Sequence, residues 1–257
     1  MTGAVRVFAD GSRQPAPRQW VPEAPVALEF NGLSYAVMMA TPAQLEDFAT
    51  GFALTEGLAA NASEITDIAV AETDKGWIVR AALSGLDTDK LGERVRARVS
   101  ESSCGLCGIE NLEALDTPLP KVARHAALDD KAVFAAVKAI PGHQQLGAAT
   151  GAAHAAAFAN ETGAIGCVRE DVGRHTALDK LVGAMAREGQ ALSPGFVLST
   201  ARCSYEIVEK AVKAGATSLV TISLPTSLAV QRAQAAGLSL WALARDDSVL
   251  LVNDAGA

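Results

Sequence analysis

Cys104 and Cys107 stand three residues apart in Ser103-Cys104-Gly105-Leu106-Cys107-Gly108, each followed by a glycine, and the chain holds only four cysteines. Thiols at this spacing suit half of a zinc site, a redox pair, or the acceptance and release of sulfur. The glycines let the backbone turn and expose its N–H groups. Ile109, Leu112 and Leu115 follow at helical spacing, so the pair precedes an expected helix start whose dipole would favour a thiolate. The plain alternative is a loop with two incidental buried cysteines.

A zinc site would need further ligands, and with no second CxxC the candidates are His154 and His175. Zinc nucleobase deaminases place H-x-E ahead of P-C-x-x-C, the glutamate moving protons. Here His154 is followed by Ala155 and Ala156, and the cysteines precede the histidine. Deaminase chemistry is therefore not expected, although a deaminase-like fold stays open. Cys203 reads as a small packing residue, and His125 and His143 as surface residues in loops.

Three strand-to-helix turns hold the other polar candidates. Arg169-Glu-Asp-Val-Gly-Arg-His175 ends a strand and opens a helix with Asp171, Arg174 and His175 at its mouth. Such a mouth can hold an anionic or nucleotide-like ligand through helix N–H groups and arginine. Ser199-Thr-Ala-Arg202-Cys-Ser204 repeats the arrangement with Ser204 as N-cap, and Ser223-Leu-Pro-Thr226-Ser227 does so with Thr226 as the cap. Each is ordinary turn chemistry alone. In successive units they would line one rim, which predicts a shared ligand cleft.

The elements that must position these residues follow from periodicity. Residues 1–25 carry Pro15, Pro17, Pro22 and Pro25 and predict an extended, weakly ordered arm. Two strands flank Asn31-Gly32, a hairpin signal, and Thr41-Pro42 predicts a helix start with Thr41 as N-cap, running through Leu45, Phe48 and Phe52. Strands are expected at Ile65–Val70 and Trp77–Leu83. Pro118 and Pro120 mark a domain boundary near 120. A helix is expected over 129–140, ended by Pro141-Gly142, and beyond it strand-like and helix-like runs alternate to an antiparallel edge strand at Val249–Val252. This alternation predicts a three-layer α/β domain with a largely parallel sheet.

The 257 residues, 49% hydrophobic, allow a full core in one large domain or two modest ones. A formal charge of −7 gives no general attraction to nucleic acid or anionic lipid. No stretch offers the roughly 18 apolar residues of a membrane span, and no signal-peptide pattern opens the chain. The expected setting is the cytoplasm, where a CxxC pair stays reduced.

Six segments together resemble the formate dehydrogenase accessory sulfurtransferase (FdhD) family. They are Gly51-Phe-Ala-Leu-Thr-Glu-Gly57, Ser103–Gly108, Thr150-Gly-Ala-Ala-His-Ala-Ala156, Arg169–His175 with Ala177-Leu-Asp-Lys180, Arg202-Cys-Ser-Tyr-Glu206, and Pro225-Thr-Ser-Leu-Ala-Val230. The resemblance runs from about Val21 over nearly the whole chain. It implies a cytoplasmic homodimer that accepts persulfide sulfur from a cysteine desulfurase. The sulfur then passes to bis-molybdopterin guanine dinucleotide (molybdenum or tungsten), bound as substrate, for the formate dehydrogenase catalytic subunit. It also implies a three-layer, cytidine-deaminase-like C-terminal domain at 121–257, a smaller α+β N-terminal domain at 21–120 ending in a mobile CxxC loop, and a flexible arm at 1–20. No structural metal is expected.

By the same resemblance Cys104 holds the persulfide and Cys107 assists. The guanine-nucleotide moiety falls on Leu243, Ala244, Arg245, Asp246, Asp247 and Ser248, alongside the rim residues Asp171, Arg174, His175, Arg202, Ser223 and Thr226. Relatives often carry glycine and a basic residue where this chain has Asp246, Asp247 and Ser248, which leaves Arg245 as the phosphate contact of that segment. The alternative function is a non-catalytic chaperone that binds the cofactor and takes no sulfur. A zinc hydrolase on a deaminase-like fold is a third.

Overall fold

The computed structural model describes residues 3–86 and 118–256. The Cys104–Cys107 motif, the charged run at 92–98 and the expected helix start at Ile109 lie outside the described residues. No described helix is long and apolar enough to cross a membrane.

Residues expected as an arm without packed elements form a short exposed hairpin instead, β1 (Val5–Val7) and β2 (Arg13–Pro15). The prolines permit it because Pro15 ends β2 and Pro17 lies beyond the ladder. Next, β3 (Ala24–Phe30) and β4 (Leu33–Ala40) pair antiparallel around Asn31 and Gly32, whose φ values of 49° and 78° are those of a type I′ turn. The Asn31 side chain reaches across to β6 (Gly76–Leu83), accepting from the Leu83 N–H at 2.6 Å and donating to its carbonyl at 3.1 Å. With β5 (Ile65–Thr73) the strands form a four-stranded sheet in the order β4-β3-β6-β5. One face of this sheet buries Val26, Leu28, Phe30 and Val79 against Phe48 and Phe52 of α1 (Leu45–Thr55).

The expected helix start at Thr41-Pro42 is not where α1 begins. Gln44 occupies the cap position, and Thr41 is drawn away to serve the second half of the chain. That half contains α2 (Asp130–Ala139), α3 (Gln145–Thr150), α4 (Arg174–Arg187), α5 (Tyr205–Lys213) and α6 (Ser227–Ala236). Pro141 does not stop α2 outright; a 3-10 turn continues over Ile140–His143. The helices flank a six-stranded sheet, β12-β11-β10-β9-β7-β8, built from β7 (His154–Ala159), β8 (Ile165–Asp171), β9 (Phe196–Ser199), β10 (Ser218–Thr221), β11 (Ser239–Ala242) and β12 (Leu250–Asn253).

The expectation of a largely parallel sheet is corrected. Only β9, β10 and β11 run parallel, whereas β7, β8 and β12 pair antiparallel. A five-residue turn joins β7 to β8, too short for the crossover that parallel pairing requires. β9, β10 and β11 are buried at every position because both faces are covered. Val197, Leu219 and Leu240 meet Leu181, Ile207 and Ala233 of α4, α5 and α6. Phe196, Leu198, Val220 and Trp241 meet Val133 and Ala136 of α2.

Charged groups join the two halves. On α4, Asp179 accepts from Thr55 of α1 at 2.7 Å, and Lys210 of α5 donates to both Asp179 oxygens at 3.0 Å and to Glu56 at 3.2 Å. The Lys210 ammonium also lies 5.2 Å from the Phe52 ring centre. Arg169 of β8 donates to Asp47 of α1 at 2.8 Å. Burial opposes the charge on Lys210, yet Asp179 and Glu56 outweigh it and hold its pKa above the ordinary value.

Candidate functional site

The carboxyl ends of β8, β9, β10 and β11 converge beside the first residue of β7. His154 stands opposite Asp171 in the ladder, and the next N–H, that of Ala155, donates to the Thr200 hydroxyl at 2.8 Å. His154 therefore sits between the turn leaving β8 and the turn leaving β9. Backbone bonds stitch the successive turns together: Ile222 N–H to Ser199, Thr226 N–H to Cys203, Leu243 N–H to Ser223 and Ala244 N–H to Thr221. The rim expected from three separate motifs is thus one continuous edge.

Asp171 lies at this edge but faces inward. It is fully buried, one oxygen accepting from Lys180 at 2.6 Å and from the Thr41 N–H at 3.0 Å, the other from the Gly173 N–H at 2.7 Å. Lys180 is equally buried and also donates to the Thr41 carbonyl at 2.9 Å. Burial pushes the Asp171 carboxyl up and the Lys180 ammonium down, against the attraction between them. This cluster fixes the turn that presents Arg174. The Thr41 hydroxyl accepts from the Val172 N–H at 3.2 Å, so the linker before α1 braces the same turn.

Arg174 is half-buried, with an Nε that is buried and unbonded, and Arg202 is exposed on the neighbouring turn. Neither guanidinium has a carboxylate partner among the described residues. His154 is half-buried near both, and burial followed by the charges of Arg174 and Arg202 pulls its pKa below the ordinary 6.5. His154 is thus neutral at pH 7. His175 is nearly buried and bound to α5, its Nε2 lying 3.3 Å from the Ser204 hydroxyl and 3.1 Å from Glu206. Ser204 occupies the cap position of α5, but its side chain turns to His175 and makes no cap bond. Thr226 does cap α6, accepting from the Ala229 N–H at 3.2 Å.

Along the β11 end, Leu243 adopts a left-handed φ of 49° and is exposed. Ala244 is buried. Arg245 donates its guanidinium to the Ile222 and Ala244 carbonyls, and its N–H to the Ser248 carbonyl at 2.8 Å. Asp246, Asp247 and Ser248 form an exposed turn in which Ser248 donates to Asp247 at 2.9 Å. Ser223 is half-buried and contributes its carbonyl, which accepts from Thr221 and Leu243. Along this edge the arginines without a carboxylate partner among the described residues are Arg174 and Arg202, on the turns leaving β8 and β9, whereas Arg245 is bonded to carbonyls. Such guanidinia suit the oxygens of a phosphate or diphosphate.

Among the described residues no group of three or more His, Cys, Asp or Glu side chains could hold a metal ion. Cys203 is fully buried, which pushes its thiol up to about 12, and burial raises Cys167 as well. Neither is a ready nucleophile. His125, expected as a surface residue, bridges the Ala123 carbonyl at 3.1 Å and the Ser239 hydroxyl at 3.0 Å.

The sequence matches the FdhD/NarQ family over residues 21–256. The chain belongs to that family. It is 44% identical to the sulfur carrier protein FdhD of Chromobacterium violaceum, over 94% of this chain and 91% of that protein. It is 42% identical to the protein of the same name from Cupriavidus necator, over 95% of this chain and 85% of that one. Its fold is that of the crystal structure of a proposed formate dehydrogenase accessory protein from Desulfotalea psychrophila. That likeness has a TM-score of 0.76 at 24% identity and covers 98% of this chain and 96% of the other.

In this FdhD/NarQ chain several segments that carry the resemblance are interior. Gly51, Thr55, Asp179 and Lys180 bind one half of the molecule to the other. The sequence offers His154 as a zinc-ligand candidate and as part of the Thr150–Ala156 segment, with no further role. Its place near Arg174 and Arg202 comes from strand pairing, for which the alanine run after it gives no signal.

Proposed function

We propose that this chain is a sulfur carrier of sulfurtransferase type, as its relatives are named. Cys104 takes sulfane sulfur from a cysteine desulfurase, and the cargo-side acceptor is the bis-guanine-dinucleotide molybdenum or tungsten pterin destined for formate dehydrogenase. In this reading a deaminase-like domain, 121–257, holds the cofactor at its rim. The 21–120 domain supplies the two thiols, and the chain works as a cytoplasmic homodimer. The observation that carries the cofactor half is the pair Arg174 and Arg202, cations without carboxylate partners among the described residues, beside a neutral His154.

The chemistry balances without an added oxidant. The Cys104 thiolate attacks the outer sulfur of the donor persulfide, the donor S–S bond breaks, and the donor cysteine leaves as thiolate. Attack of the Cys107 thiolate on the inner sulfur of Cys104-S-SH then forms a Cys104–Cys107 disulfide and expels hydrosulfide toward the metal. The two thiols supply the two electrons, and an external dithiol resets the pair.

Intact mass after incubation with a cysteine desulfurase and cysteine should show one added sulfur, removed by reductant and absent from Cys104→Ala. Arg174→Gln with Arg202→Gln should weaken GDP binding roughly tenfold or more. Equal sulfur uptake by Cys104→Ala would overturn the thiol assignment. GDP binding without sulfur uptake by the parent chain would make the protein a cofactor chaperone.

A further inference from the structure

Arg174 and Arg202 stand on separate turns, one leaving β8 and one leaving β9, and each turn is held from its own side. The Asp171 carboxylate and the Thr41 hydroxyl accept from the Gly173 and Val172 N–H groups at 2.7 and 3.2 Å. The Thr200 hydroxyl accepts from the Ala155 N–H of β7 at 2.8 Å. None of these bonds runs from one turn to the other. Two guanidinia without a carboxylate between them repel, so keeping them as a pair requires a link between the turns that carry them.

His175 makes such a link. It follows Arg174 directly as the second residue of α4, and its Nε2 lies 3.1 Å from the Glu206 carboxylate and 3.3 Å from the Ser204 hydroxyl. Ser204 stands two residues after Arg202, and Glu206 is the second residue of α5. A carboxylate only accepts, so Nε2 carries a proton and donates it. The His175 and Glu206 side chains are 11% and 13% exposed, so little water competes for the bond.

Ser204 gives an independent sign. It occupies the cap position of α5 in an extended conformation, yet its side chain makes no cap bond. A cap serine that forgoes this bond leaves a helix N–H unanswered. Thr226, in the corresponding place on α6, makes its bond at 3.2 Å. The Ser204 hydroxyl is turned to His175 instead. A local preference given up for one contact points to a use for that contact. Burial, and then Arg174 and Arg202 together, lower the pKa of His154, so both guanidinia act on one imidazole.

We propose that His175 and Glu206 form a latch that sets the spacing of Arg174 and Arg202, so that the two guanidinia act on one anionic group. Both are positioning residues: they hold the arginine-bearing turns and make no contact with the ligand. This rests on the reading of the rim as a nucleotide site. It moves His175 from the contacts of the cofactor to the support of Arg174.

The test is titration calorimetry of the full chain with GDP in two backgrounds, the parent and Arg174→Gln/Arg202→Gln. Glu206→Ala should lose roughly three- to tenfold in GDP affinity in the parent background and nothing further in the second. Glu206→Gln, whose amide carbonyl can still accept from Nε2, should bind within about twofold of the parent. Where Glu206→Ala does not fold, Ser204→Ala takes its place in both backgrounds with the same expectations. An equal loss in both backgrounds overturns the latch, because the loss would then come from general damage. So does a Glu206→Ala chain that binds like the parent, or a Glu206→Gln chain that binds as poorly as Glu206→Ala. Each of these leaves the rim reading intact. Failure of the parent chain to bind GDP, or parent-like binding by Arg174→Gln/Arg202→Gln, overturns the rim reading and the latch with it.

Discussion

Gly51 of α1 and Gly183 of α4 meet backbone to backbone. A Cβ on Gly51 would fall 1.7 Å from the Asp179 carbonyl oxygen, and one on Gly183 would fall 1.9 Å from that of Asp47. No side chain fits between the helices at this point, so the two halves of the chain dock at a fixed distance. Because α4 begins with Arg174, this contact also sets where that rim guanidinium stands.

Gly51→Ala should therefore unfold the protein or cost about 3 kcal/mol or more, since the atoms in the way are backbone and cannot turn aside. Gly57→Ala provides the contrast. Gly57 has a φ of 69° with open space around it, and its substitution should cost about 1 kcal/mol of backbone strain. Urea denaturation of both variants decides the matter; similar midpoints would refute the close-contact account.

Removing Asp179 takes from the buried Lys210 ammonium the carboxylate that accepts from it with both oxygens, leaving Glu56 at 3.2 Å. Asp179→Ala should cost about 3–5 kcal/mol, and Asp179→Leu with Lys210→Met should cost clearly less than the sum of the single changes. The same cluster sets an alkaline limit. Lys210 has a folded pKa above its ordinary 10.5, so its contribution is complete below that value and fades as pH rises through the folded pKa. Chemical denaturation across that window should show the loss in the parent and not in Lys210→Met.

His154 titrates in the opposite sense. Its folded pKa lies below 6.5, so the folded state binds fewer protons than the unfolded chain as pH falls past that value. Stability is full above pH 6.5 and declines on acidification until the folded pKa is passed. Imidazole resonances followed by NMR should place His154 below 6.5, and Arg174→Gln should move it upward. An unchanged titration in that variant would separate His154 from Arg174.

Thiol labelling offers a further check. With Cys203 raised to about 12 and Cys167 also raised, a Cys104→Ala/Cys107→Ala chain should take up iodoacetamide very slowly at pH 8. Unfolding it should expose both remaining thiols at once. Rapid labelling of Cys203 in the folded chain would contradict its burial.

Local physics made much of the architecture legible. Asn31-Gly32 announced the β3–β4 hairpin because only a few residues tolerate two left-handed positions in succession. Thr226 announced a helix start because its side chain satisfies an N–H group that no helix can satisfy for itself. The alternation of buried strands and helices after residue 129 announced a sheet covered on both faces. Strand direction was less legible: β7, β8 and β12 are antiparallel because of the short paths that join them to the sheet.

Competition among distant partners decided the rest. Thr41 looked like a helix cap, yet a buried Asp171 and Lys180, 130 and 139 positions away, take its backbone N–H and carbonyl, and its hydroxyl accepts from the Val172 N–H. Ser204 sits at a cap position and gives its hydroxyl to His175. The polar segments around the turns, met as a list, were all equally open to a ligand. By itself the sequence determined which residue types stand at each turn and the order in which the strands and helices come. Only the tertiary structure divided those residues into Asp171, Lys180, Asp179 and Lys210, which neutralise one another inside, and Arg174 and Arg202, which nothing described neutralises. The reason is that burial makes an unpaired charge too costly to keep, and which charges are buried is settled only when the two halves close on each other.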